Sequence, residues 1–101
     1  MSLTIALILI LAEVLFTVVI SHLNWKRIAD WFLNREAAIE TDDSKLRITL
    51  HEKMKSGQHR VVYGIFNSAT EQFTDGEVVI ADSIDEELME HHKDMPLVVY
   101  K

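Results

Sequence analysis

Residues 3–23, LTIALILILAEVLFTVVISHL, constrain this chain more than any other part of it. They are apolar on every side, hold no Gly or Pro, and carry one acid, Glu13. At about 1.5 Å of rise per residue, a helix of this length spans the ~30 Å hydrocarbon core of a bilayer. A helix apolar all round inside a water-facing globule needs more surrounding chain than 101 residues readily supply. The sequence therefore predicts a transmembrane helix over residues 1–23. No Lys or Arg precedes the run, it is long for a signal core, and no small-x-small site follows it, so the expected role is an uncleaved signal anchor. Lys26, Arg27 and Arg35 all follow it, which by the positive-inside bias puts the N-terminus outside and the C-terminal bulk in the cytoplasm. The absence of Cys is compatible with a reducing compartment.

Glu13 costs about 2.5–3.5 kcal/mol at the centre of such a helix, while each surrounding Leu, Ile, Phe or Val returns roughly 0.3–0.6 kcal/mol. The run tolerates the acid without explaining it. Helical steps of three or four from Glu13 reach Ala6, Thr17 and Ser21, and the opposite stripe is Leu7, Ile8, Leu11, Leu15 and Val18. Small and polar residues on one side suit close approach of a second helix. Glu13, Thr17, Ala6 and Ser21 are thus the expected intramembrane docking face.

Residues 24–40 place Trp25, Ile28, Ala29, Trp31 and Phe32 at helical spacing, with polar residues between them. This predicts an amphipathic juxtamembrane helix continuing the first one. Trp25, Lys26, Arg27, Trp31 and Arg35 would sit at the lipid–water interface, where aromatic belts and basic residues gather. Trp25, Trp31 and Phe32 packing on a partner subunit is the competing reading. Residues 41–44, TDDS, read as a linker.

Beyond the linker, residues 45–54 alternate as a half-buried strand. Residues 55–58 form a turn, and residues 59–67 are apolar on both faces, as a central strand requires. Turn chemistry stands at both Asn67-Ser68 and Asp75-Gly76; Asp-Gly is the stronger hairpin signal, yet Phe73 before it extends strand character, so the choice stays open, and residues 77–81 make a third strand. Ser83 with Glu86 three residues on matches a capping box and opens a short helix through about His92. Pro96 ends that helix and starts a last strand over residues 96–100. The expected architecture is a single transmembrane α-helix, extended as a juxtamembrane helix, followed by a small α+β domain over residues 45–101 of order β-β-β-α-β.

The net charge is −6 and the sequence pI about 5.2, which excludes a basic nucleic-acid surface. Bases gather in residues 24–60 and acids in residues 68–94. Asp85, Glu86 and Glu90 belong to the acidic run and offer a docking face for a basic partner, against the plainer reading of a solvated helix surface. No Cys, phosphate loop, G-x-S-x-G or H-E-x-x-H is present, so no enzyme is expected. Glu87, Glu90, His91, His92 and Asp94 are the densest group of ligand-type side chains, but Glu87 and His91 alone on a helix face are too few for a closed zinc site. No cofactor or metal is expected. The sequence favours a single-pass accessory or regulatory subunit of a larger membrane complex, with integral membrane subunits and lipid as partners. One alternative is a self-assembling ring or pore of copies of this chain. Another is a metal- or haem-binding component of a membrane enzyme, using His22 or His91 and His92.

Overall fold

The computed structural model describes residues 5–93 and 95–100, with side chains from residue 8 onward. The first stretch is not one helix. Ile5–Leu11 form α1, Ala12–Val14 make a single 3-10 turn, and Phe16–Leu23 form strand β1. The cause lies in two unlike halves. Leu, Ala and Ile dominate residues 5–11, where helix propensity is good. Residues 16–20 read FTVVI, aromatic and β-branched, and fit a pleated strand better. The chain turns between them at Leu15, whose backbone is extended (φ −86°, ψ 153°).

The expected transmembrane helix is therefore overturned. Among the described residues no helix is long and apolar enough to cross a membrane. The signal-anchor role, the single-pass topology and the outside-to-cytoplasm orientation have no helix to carry them. The expected continuation into residues 24–40 also fails: β1 intervenes, and the amphipathic segment is a pair of short helices, α2 (Trp25–Leu33) and α3 (Glu36–Glu40).

Instead, the chain builds one mixed sheet. Strands β2 (Lys45–Lys53), β3 (His59–Asn67) and β4 (Gln72–Ile84) are followed by helix α4 (Glu86–His91) and strand β5 (Leu97–Tyr100). The order across the sheet is β1-β4-β3-β2-β5. β1 runs parallel to β4, with Phe16 opposite Glu77 and Leu23 opposite Ile84, and the other pairs are antiparallel. Because β1 is a fifth strand, the module is larger than the β-β-β-α-β unit expected from residue 45 onward.

β3 lies at the centre and is buried on both faces, so each face needs a cover. Val61, Tyr63 and Ile65 meet Ile28 and Phe32 of α2, Ile39 of α3 and Leu88 of α4. On the other face Val62 and Phe66, with Ile48, Leu50 and Val78, meet Ile8 of α1 and Ala12. Ile8 and Leu23 are both fully buried, so the apolar start of the chain supplies core for both faces. Burying a Leu or Ile side chain stabilises by roughly 1.5–3 kcal/mol.

The structure resolves one open choice and moves one cap: of the two turn signals, Asn67-Ser68 is the turn. Asp75-Gly76 is not a turn. It lies within β4, next to a register shift opposite Ile65 and Phe66, and the chain reverses earlier, where the Asn67 side chain accepts from the N–H groups of Ala69 and Thr70. Gly76 stands opposite Gly64 instead, and glycine at both positions lets the two backbones approach closely. The helix cap is Asp85 rather than Ser83, which stays in β4. Asp85 accepts from Leu88 N–H at 3.0 Å, and its other oxygen accepts from Trp25 N–H at 3.0 Å. One carboxylate thus holds the starts of α2 and α4 together.

An alanine at position 64 tests the close approach. Its Cβ would stand 2.6 Å from the Asp75 carbonyl oxygen and 3.0 Å from Gly76 Cα, both backbone atoms with little room to yield. Gly64→Ala is expected to lower stability by about 1–3 kcal/mol in urea unfolding, through overpacking. A midpoint equal to that of the unaltered chain would refute the tight contact.

Candidate functional site

Two features stand apart from ordinary packing. The first is a polar cluster where β2, β3, α4 and β5 meet. Thr49 and His51 alternate with buried Ile48 and Leu50 along β2, so they project together onto the helix-covered face. His51 Nε2 lies 2.9 Å from His59 Nδ1, and the ring centroids are 5.1 Å apart. The rings therefore meet nearly head-on, with the N–H of one aimed at the lone pair of the other. His92 is buried beneath them. Its Nδ1 is 2.9 Å from the Met95 carbonyl oxygen, which can only accept, so neutral His92 carries its proton there.

A directed chain follows from that assignment. His92 Nε2 accepts from the Thr49 hydroxyl at 2.8 Å, Thr49 Oγ1 accepts from the Tyr100 hydroxyl at 3.1 Å, and the Tyr100 oxygen accepts from His91 Nδ1 at 2.9 Å. Trp25 stacks on His91 with centroids 4.1 Å apart and fixes that imidazole. A proton added to His92 Nε2 would turn the Thr49 hydroxyl around and reverse the chain. Burial is the main force against that proton and holds His92 below the ordinary histidine value. Burial also lowers His51, with the neighbouring His59, His92 and Lys53 adding to it, to about 4. His59 is lowered by the same two kinds of cause, burial first and then Lys53. A cleft of about 580 Å³ opens beside His51 and His92, rimmed by Glu86, Met89, Glu90 and Lys93. Among the described residues no three His, Asp or Glu side chains are placed to hold a metal ion.

The second feature is the outer edge of β1, which pairs with no other strand among the described residues. The Leu23 carbonyl accepts from Asp85 N–H on the β4 side. By alternation along the strand, Thr17, Val19, Ser21 and Leu23 turn their backbone groups to β4, and Phe16, Val18, Ile20 and His22 turn theirs outward. The apolar side chains here are also uncovered: Phe16 is 86% exposed, Val14 84% and Val19 67%.

The residues singled out from sequence are scattered by this fold. Glu13 sits exposed in the 3-10 turn, and Thr17 and Ser21 are exposed on β1, so the three do not share a helix face. The side chain of Ala6 lies outside the described residues. Trp25, Arg27, Trp31 and Arg35 tie α2 to the sheet. Arg27 reaches Glu77 at 3.1 Å and the Tyr63 hydroxyl at 3.4 Å, and Tyr63 donates to Glu77. Burial, with the Glu77 hydrogen bond next, pushes the Tyr63 hydroxyl up to about 12. Arg35 pairs with Asp75 at 2.6 Å and lies over the Trp31 ring at 3.9 Å. Lys26 pairs locally, with Asp30 four residues on. Asp85 is occupied as a cap, while Glu86 and Glu90 rim the histidine cleft. His22 bonds Ser83 at 2.8 Å on the neighbouring strand. Sequence reading missed the His51–His59 pair. Its signal was present: both flank the 55–58 turn at positions that an antiparallel hairpin brings diagonally together on one face.

The cluster makes stability acid-sensitive. Histidines held neutral in the fold bind fewer protons than in the unfolded chain, so their contribution is complete above the ordinary value of 6.5 and is lost as pH falls from there toward about 4. The thermal midpoint is expected to fall across that window, and His51→Gln should flatten the fall, read by circular dichroism melts. Parallel pH profiles for the two proteins would reject this source of acid sensitivity.

No protein-family model, curated protein or solved structure matches this chain, so its chemistry rests on its own geometry.

Proposed function

We propose that this chain is a small accessory or regulatory subunit that docks by strand addition, accepting an extended segment of polypeptide along the free edge of β1. The observation that supports this most is the contrast between the two sheet edges. Edge strands expose unpaired N–H and C=O groups, and proteins usually blunt them with short length, charge or proline. β5 is blunted: it has four residues and follows Pro96. β1 has eight residues, FTVVISHL, with no Asp, Glu, Lys, Arg or Pro. An exposed, uncharged edge of that length is the standard acceptor in β-augmentation, where main-chain bonds give affinity and alternate side chains give specificity. The apolar stretch keeps the docking role read from sequence, with a different surface: a strand edge in place of a helix face.

Residue-resolved hydrogen exchange tests the reading. With a synthetic peptide of residues 14–23 added in excess, the amides of Phe16, Val18, Ile20 and His22 should exchange as slowly as those of Thr17, Val19, Ser21 and Leu23. Val18→Pro removes an outward N–H without touching the β4 ladder, and should return the remaining outward amides to fast exchange. Outward amides that stay fast in the presence of the peptide would defeat the proposal.

A further inference from the structure

We infer that the strand taken up by the β1 edge is β1 of a second copy, paired antiparallel about a two-fold axis perpendicular to the sheet, with Val19 opposite itself. The inference rests on the docking reading and names its partner. Three observations select a second copy.

The first is register. A two-fold perpendicular to a continuous sheet pairs residues that face the same side, so some residue must stand opposite itself. Only the outward-facing Phe16, Val18, Ile20 and His22 can exchange backbone bonds across the new interface. Centring on Val19 pairs Val18 with Ile20 and Phe16 with His22 in both directions, so all of the outward groups of both strands find partners. Centring on Val18 or Ile20 pushes one end of the pairing off the strand and leaves outward groups unmatched.

The second is side-chain and charge matching. In the Val19 register, exposed Phe16 lies across from the exposed imidazole of His22, and Thr17 lies across from Ser21. The strand has no Asp, Glu, Lys or Arg, and its one histidine, His22, faces Phe16 rather than its own copy, so bringing two copies together opposes no like charges.

The third is closure. A self-complementary, isologous contact uses one edge on each copy and is finished at two. The remaining edges of the joined sheet are the short β5 strands, which follow Pro96. The result is a ten-stranded sheet that does not grow into a filament, built from two five-stranded halves.

Val19 supplies the test because its side chain is exposed and its change leaves the core intact. Analytical ultracentrifugation of the full chain should give twice the 11.6 kDa chain mass. Val19→Lys and Val19→Glu should each give the single-chain mass, since each sets like charges opposite one another, with unchanged circular dichroism. An equimolar mixture of the two should return to the doubled mass, because Lys then faces Glu. A single-chain mass for the unaltered protein, or a doubled mass for Val19→Lys alone, would overturn the self-pairing. The hydrogen-exchange experiment separates the two failures. Outward amides slowed by the added peptide, which carries the β1 sequence, in a protein of single-chain mass leave strand docking standing and remove only the pairing of two whole chains.

Discussion

The structure depends on covering both faces of β3. Val61, Tyr63 and Ile65 on one face and Val62 and Phe66 on the other are all buried, at the centre of a sheet that would otherwise present one face to water. The 57 residues beyond the linker, 45–101, near the lower limit for independent folding, cannot close two layers over such a strand. The missing cover comes from the start of the chain. α1 and Ala12 close one face, and Leu23 joins α2, α3 and α4 in closing the other. The apolar opening of the sequence is therefore structural material for the sheet, consumed on both of its sides.

That division explains what was legible in the sequence. β3 reads as a central strand because it is apolar on both faces over residues 59–67, and the structure has it there. The alternation of residues 45–53, the helical spacing of residues 25–33 and the stop at Pro96 are also local patterns with local causes. The opening stretch is the opposite case. Its apolar length satisfies the bilayer criterion, and hydropathy alone does not register that its second half is β-branched. Its partner, EVVIA in β4, lies far away in sequence, and parallel pairing leaves no short-range signature such as a hairpin turn. Asp75-Gly76 left the turn undecided for a related reason. The glycine answers a cross-strand approach to Gly64 that only the register reveals.

The candidate sites divide along the same line. Spacing within one element can group Glu13 with Thr17, or Glu87 with His91. It cannot assemble Thr49, His51, His59, His92 and Tyr100, which come from four elements. Nor can it show that Trp25, Arg27, Trp31 and Arg35 anchor α2 to a sheet. Arg27 meets Tyr63 and Glu77 and Arg35 meets Asp75, with guanidinium forks that satisfy carboxylates and a phenol at the margin of the core. Aromatic and basic residues beside an apolar run carry the same signature at a bilayer surface and at the margin of a core.

The parallel pairing of β1 with β4 also has a consequence in time. Phe16 stands in register beside Glu77, so the first strand to be synthesised waits for one of the later ones. At about 5–20 residues per second of synthesis, the delay is roughly 3–12 s, far longer than the microseconds in which a local hairpin such as β2–β3 closes. During that interval an uncharged apolar segment has no partner of its own and is exposed to whatever surrounds the ribosome. The same residues that complete the sheet are, for those seconds, the part of the nascent chain most open to capture by a chaperone or by a neighbouring copy.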